Sequence, residues 1–190
     1  MLARCKFNYF EESVPVALEE LGADFNQDWK GFQQACIKAL LKEAKEKTRG
    51  WMSVSGAAPH VELCCKKVGD GHPLRLWRAT TDVEAPPQEV MQRSWQQGGA
   101  GGGGWCAVAE TSVAHAAAPP DGARGVVLAS RYLAQPAGKG RSRLVHLARV
   151  DTMGRTPDWY NKCYGHICAL YLARIRASFK HNTEGPESNV

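Results

Sequence analysis

Apolar residues recur at three- and four-residue steps over residues 28–51. Trp29, Phe32, Cys36, Leu40 and Ala44 form one stripe that Ile37 and Leu41 widen, the spacing of an amphipathic helix that packs on its own domain's core. Lys42 with Glu46 and Glu43 with Lys47 stand four apart, which predicts ion pairs on the outer face, and Gly50 supplies a stop. Two extended stretches follow, 61–68 and 74–83, separated by Gly69-Asp70-Gly71-His72-Pro73, and they predict a hairpin. Pro86 and Pro87 end the second strand. Proline is tolerated in a first helical turn, so Pro87 opens a short helix over 87–97.

The pattern then breaks. GGAGGGG over 98–104 has no side chains to pack and much backbone entropy to lose, which reads as a flexible connector. Beyond it, residues 105–111 alternate weakly, Pro119-Pro120-Asp121-Gly122 is a turn signal, and 125–133 is rich in Val126, Val127 and Leu128, so a second hairpin is expected. Residues 136–140 turn the chain again before 141–151, making three successive strands a meander. The last element is a long helix: Thr156 can cap it, Pro157 fits its first position and Asp158 suits its N-terminal dipole, while Arg174, Arg176 and Lys180 suit the other end. Tyr160, Tyr164, Ile167, Tyr171 and Ile175 stand at helical spacing with Cys168 beside them, which predicts an aromatic inward face.

Composition bounds the class. At 190 residues, 44% hydrophobic and 23% charged, the chain suits one folded domain. A formal charge of +5 is spread along the sequence, so no basic block marks a nucleic-acid or membrane partner. Seven cysteines, an odd number with Cys64 and Cys65 adjacent, do not make a disulfide framework. Glu11 and Glu12 interrupt the N-terminus before any signal-peptide core, and no apolar run reaches the roughly 20 residues of a membrane span. The expectation is a cytoplasmic protein with reduced thiols.

Catalytic and metal constellations are weak. Neither 98–104 nor Gly138-Lys139-Gly140 ends in the Lys followed by Ser or Thr that a P-loop needs. Cys163, His166 and Cys168 are the nearest approach to a zinc set, but Cys168 turns away from Cys163 on a helix, and Cys64 and Cys65 point to opposite sides of a strand. No trio of nucleophile, base and orienting group stands out. Arg141, Arg143 and Arg149 are separated by even numbers, so they can project from one side of a strand as a solvated face or a headgroup contact. No cofactor, no metal and no nucleic-acid partner is expected.

Three stretches carry a resemblance: VELCCKKVGDGHPLRLWRATTDVEAPPQEVMQR over 61–93, SRYLAQPAGKGRSRLVHLARVD over 130–151, and GRTPDWYNKCYGHICALYLARIRASF over 154–179. They resemble the START lipid-transfer domain at the C-terminus of the deleted-in-liver-cancer group of Rho GTPase-activating proteins, and the ending GPESNV resembles that group's tail. About two thirds of the chain is covered. The resemblance implies an α+β helix-grip fold, a curved antiparallel sheet gripping a long C-terminal helix, with one lipid of unspecified identity held between them. It also implies a non-catalytic role in Rho signalling and actin or adhesion control, Rho-pathway partners, peripheral membrane contact and a place at focal adhesions. Tyr164, Ile167, Cys168, Tyr171 and Ile175 are then the residues expected to face the ligand. The group carries further central strands where this chain has SWQQGGAGGGG, and an upstream GTPase-activating domain that these residues do not supply. The expected organisation is an extension over 1–27, the domain over 28–180 interrupted at 98–104, and a flexible tail over 181–190. The alternative is a ligandless regulatory or protein-interaction module left by incomplete splicing or gene prediction; an unidentified enzyme is the third class.

Overall fold

The computed structural model describes residues 2–10, 29–46, 50–95, 104–114, 125–153 and 157–180. The connector short of Gly104, the turn at 119–122, the cap at Thr156 and the tail at 181–190 lie outside those residues. Within them, the elements run β1 (Leu2–Phe10), α1 (Trp29–Lys45), β2 (Met52–Ser53), β3 (Glu62–Lys66), β4 (Leu76–Val83), α2 (Pro87–Trp95), β5 (Cys106–Ala114), β6 (Val126–Pro136), β7 (Ser142–Asp151) and α3 (Pro157–Ser178). All the strand pairs are antiparallel, in one seven-stranded sheet of order β1-β5-β6-β7-β4-β3-β2.

Both expected hairpins and the meander form. The hairpin β3–β4 pairs Glu62 with Thr80 through Lys66 with Leu76, and β5, β6 and β7 lie side by side in chain order. The closing contact is β4 against β7, from Trp77 with Ala148 to Val83 with Ser142. It joins the N-terminal hairpin to the meander without a break in the ladder. Leu2–Phe10, assigned from the sequence to an extension outside the domain, adds β1 beyond β5.

Strand side chains alternate between faces, and the two faces have different partners. Trp77, Ala79 and Val83 of β4, Leu144 and Ala148 of β7, Tyr132 and Ala134 of β6, and Cys106 and Val108 of β5 pack with Val90 and Met91 of α2 and with α3. Leu76, Leu133, Val145, Leu147, Ala107 and Ala129 pack on the other face with Leu40 of α1. Adjacent Cys64 and Cys65 divide in the same way.

Helix α1 overturns one expectation. Glu43 and Glu46 turn to the sheet rather than to an outer face; Lys47 lies outside the described residues. Glu43 meets Arg131 at 3.2 Å, and Glu46 meets Lys66 at 2.9 Å and the Trp51 indole N–H at 3.0 Å. Those hydrogen bonds, Lys66 first, hold the Glu46 carboxyl below its usual range. Buried Arg78 donates to the Glu43 and Glu46 carbonyls, ending the helix, and stacks its guanidinium over Trp51. Strand cations supply what C-terminal helix carbonyls lack.

Candidate functional site

Helix α3 lies across β4, β3 and β7, and it is fastened at both ends. At its start, the Tyr160 hydroxyl accepts the Val150 N–H at 2.9 Å, and Asn161 accepts the Arg75 N–H at 2.8 Å while donating to the Pro73 carbonyl at 3.1 Å. The loop that Asn161 grips is itself held by Arg149, whose guanidinium takes both oxygens of Asp70 at 2.6 and 3.0 Å and the Leu74 carbonyl at 2.9 Å. At its end, Arg176 donates to the Asp82 carbonyl at 3.0 Å. From α2, Arg93 donates to the Ser178 carbonyl at 3.1 Å and stacks on Phe179.

The face that α3 buries is not the one its aromatic residues predict. Tyr160, Gly165, Cys168, Ala169, Leu172 and Ile175 are buried. Tyr164 is partly buried against the core. Ile167 stays 51% exposed and Tyr171 41% exposed. The buried stripe keeps Tyr160, Cys168 and Ile175 of the predicted one and otherwise shifts to Gly165, Ala169 and Leu172. Gly165 decides it: a Cβ there would stand 2.6 Å from Trp77 Cδ2 and nearer still to Cε3 and Cζ3. The helix therefore beds down on the indole and leaves Ile167 and Tyr171 along its flank.

That flank meets β6 at Tyr132. Tyr171 meets Tyr132 edge to face with 6.3 Å between centroids, and Tyr132 stacks on His146 at 4.0 Å. Beside them on the same sheet face, Ser130 donates to Glu110 at 2.7 Å. Glu110, Ser130, Tyr132 and His146 are all buried. Burial raises the Tyr132 hydroxyl far above its usual pKa, and the Glu110 carboxylate, Tyr171, Cys168 and Tyr164 push it the same way. Val90 and Met91 of α2 belong to the same core. The sheet face beneath this flank is a floor that is aliphatic and aromatic apart from one small polar group of residues.

Of the five residues expected at a ligand, Cys168 and Ile175 are buried, Tyr164 is half-buried, and Ile167 and Tyr171 are exposed along the flank of α3. The floor was missed. Its signal was Glu110 in CAVAETSVA, an acid at the inward register of an otherwise small and apolar strand. Burial pushes the Cys168 thiol up to about 12 and the Cys106 thiol up to about 11, so neither is a nucleophile near neutral pH.

Other chemistry finds little support. The three arginines expected on one side are separated: Arg141 pairs with Glu84, Arg143 with Asp82, and buried Arg149 with Asp70. A cleft of about 340 Å³ under the end of α3 is lined by His60, Val61, Glu62, Asp82, Arg141 and Arg176, and its charges are mixed. Among the described residues, no three His, Cys, Asp or Glu side chains gather as for a metal ion, and no helix is long and apolar enough to cross a membrane.

Residues 85–185 match the START domain family. The chain belongs to that family. Its START domain is 36% identical over 235 residues to Rho GTPase-activating protein 7 of Bos taurus, covering 96% of this chain and 21% of that protein. It is 34% identical over 243 residues to StAR-related lipid transfer protein 13 of Mus musculus, covering 100% of this chain and 22% of that protein. The chain thus spans about a fifth of these relatives. The aligned spans exceed its own 190 residues, so the relatives carry residues with no counterpart here, as expected for an internally shortened START domain. The human StarD13 (DLC2) lipid transfer and protein localization domain superposes with a TM-score of 0.62 at 36% identity, covering 76% of this chain and 96% of that one. Human StAR-related lipid transfer protein 5 gives 0.68 at 15% identity over 82% and 98%, a likeness of fold. The α+β helix-grip architecture expected from the sequence is the one observed.

Proposed function

We propose that this START domain is a non-catalytic lipid-binding module that holds one lipid between α3 and the sheet. It would serve lipid transfer or lipid-dependent control within Rho signalling. The observation that supports the reading is the largely apolar sheet face beneath α3, against which Cys168 and Ile175 are buried and Tyr164 partly buried; these three, with Ile167 and Tyr171, are the residues proposed to meet the lipid. Mostly apolar concave sites with a few placed polar groups are the usual form of small-molecule sites, and each Å² of acyl or sterol surface buried contributes about 25 cal/mol. Binding needs no bond chemistry. The names of the relatives support a lipid ligand and a Rho-pathway context, with cytoplasmic residence, contact with membrane surfaces and a place at adhesions as the corresponding expectations.

The test is native mass spectrometry and organic extraction of the purified chain after incubation with mixed-lipid vesicles. A stoichiometric lipid adduct supports the reading; a well-folded chain that takes up no lipid ends it. One observation favours a second reading, a protein-interaction module without ligand: α3 leaves the large apolar side chains of Ile167, Leu170 and Tyr171 exposed. A pull-down that captures one partner through the exposed Ile167, Leu170 and Tyr171 face of α3, with no lipid bound, would support it.

A further inference from the structure

We propose that the cleft under the C-terminal end of α3 binds a small zwitterion, a molecule or headgroup that carries one singly charged oxyanion and one ammonium. It draws on none of the residues proposed to meet the lipid, so it stands apart from that reading. The cleft measures about 340 Å³ and is lined by His60, Val61, Glu62, Asp82, Arg141 and Arg176, at the small end of the range for ligand pockets. Two of its charges are answered by neighbours on the sheet: Asp82 by Arg143 at 3.1 Å and Arg141 by Glu84 at 3.1 Å. The other two are not. Arg176 gives its Nε to the Asp82 carbonyl at 3.0 Å, and Glu62 acts on Arg143 only as a more distant charge. Among the described residues, neither the Arg176 guanidinium nor the Glu62 carboxylate takes part in an ion pair.

An arginine fork on α3 and a carboxylate on β3 thus line one cleft without meeting. The terminal nitrogens of Arg176 keep their N–H donors, which suit the paired oxygens of a carboxylate or a phosphodiester, and the Glu62 oxygens accept from an ammonium. A lone anion or a lone cation would gain one of these contacts and stand near a like charge on the other wall; a zwitterion meets both. A phosphate monoester carries close to two negative charges, more than this one arginine offsets beside Glu62 and Asp82. Backbone strain fixes a further wall. His60 has a φ of 62°, in a turn closed by the Val61 N–H on the Ala58 carbonyl at 3.1 Å, and the Thr81 hydroxyl pins its carbonyl at 2.8 Å. Glycine would take that conformation at lower cost, whereas histidine places at the cleft an imidazole able to donate and to accept.

Three solutes of similar length test the site: 4-aminobutanoate, butanoate and butylamine, titrated at pH 7 and low salt into the nitrogen-15-labelled chain and followed by backbone amide shifts. The expected dissociation constant for 4-aminobutanoate is at least about fivefold below those of the two single ions, the scale of one added charge pair near a surface. The shifts should centre on residues 60–62, 82, 141 and 176. Glu62 is exposed, so Glu62→Gln should fold, and it should bring 4-aminobutanoate to the affinity of butanoate. Glu62→Lys should reverse the order and favour butanoate. A neutral phospholipid headgroup carries the same two charges, so a second arm floats the chain with vesicles of phosphatidylcholine and phosphatidylethanolamine in equal parts. Flotation that Glu62→Gln abolishes supports the site and identifies a bilayer as its source of ligand; 4-aminobutanoate binding without such flotation supports it and identifies a free solute. Equal affinity for all three solutes overturns the proposal, as does a preference that survives Glu62→Gln. Binding of none of them, together with flotation indifferent to Glu62, overturns it as well.

Discussion

Gly165 of α3 lies flat on the indole of Trp77 in β4, with no room for a methyl group between them. Trp77 is almost fully buried, so the ring has nowhere to retreat. Gly165→Ala should therefore destabilise the domain by about 1–3 kcal/mol, the usual cost of overpacking a filled core. Glycine's poor helix propensity would act in the opposite direction by up to about 1 kcal/mol. A higher midpoint of urea unfolding for the alanine variant would contradict the close contact.

The shifted stripe of α3 makes a paired prediction. Leu172→Ala, at a fully buried position, should cost about 2–5 kcal/mol, whereas Ile167→Ala, at an exposed one, should stay within about 0.5 kcal/mol. Lipid uptake should fall in the Ile167 variant with the fold intact. Thermal melts of the two variants decide the orientation, because an inward-facing Ile167 would reverse their order.

Tyr160 should matter through its hydroxyl. It accepts the Val150 N–H at the start of α3, so Tyr160→Phe leaves a partly buried donor unmet and should cost about 1 kcal/mol. Hydrogen exchange at the Val150 amide should speed up by the matching factor. An unchanged exchange rate would show that the contact does not hold in solution.

The Arg149–Asp70 fork gives a dependence on pH. Arg149's hydrogen bonds are the largest cause holding the Asp70 carboxyl well below the usual range. A carboxyl depressed in the folded state stabilises the fold above its unfolded pKa of about 4, and that contribution is lost as pH falls through the lower folded value. Asp70→Asn should thus lower the urea midpoint at pH 7, and the difference from the native chain should shrink in strong acid. A difference that is constant with pH would assign the loss to packing instead.

Thiol chemistry should follow burial. Cys163 is exposed on α3, whereas Cys168 and Cys106 are buried with raised pKa values. Iodoacetamide at pH 8 should modify Cys163 in the folded chain and reach Cys168 and Cys106 only on unfolding. Equal rates, followed by peptide mass spectrometry, would mean that α3 lifts off the sheet readily.

The sequence by itself determined the order and kind of most elements, though not of β1 and β2. Proline, glycine and the period of the apolar residues act over a few positions, so the two hairpins, the meander and the helix beginning at Pro157 could be read locally, and the GRTPDWYNK stretch was enough to suggest the family. Part of that stretch now has a physical role: Tyr160 and Asn161 tie α3 to β7 and to the β3–β4 loop. Tertiary structure alone decided which face of α3 is buried, because close packing of Gly165 on Trp77, with Ala169 in the same core, outweighs the larger apolar area of Ile167 and Tyr171. It also turned Glu43 and Glu46 toward Lys66 and Arg131, partners 20 and 88 residues away. Glu110, Ser130, Tyr132 and His146 were gathered in the same way, since antiparallel register places residues side by side at separations that no local pattern encodes.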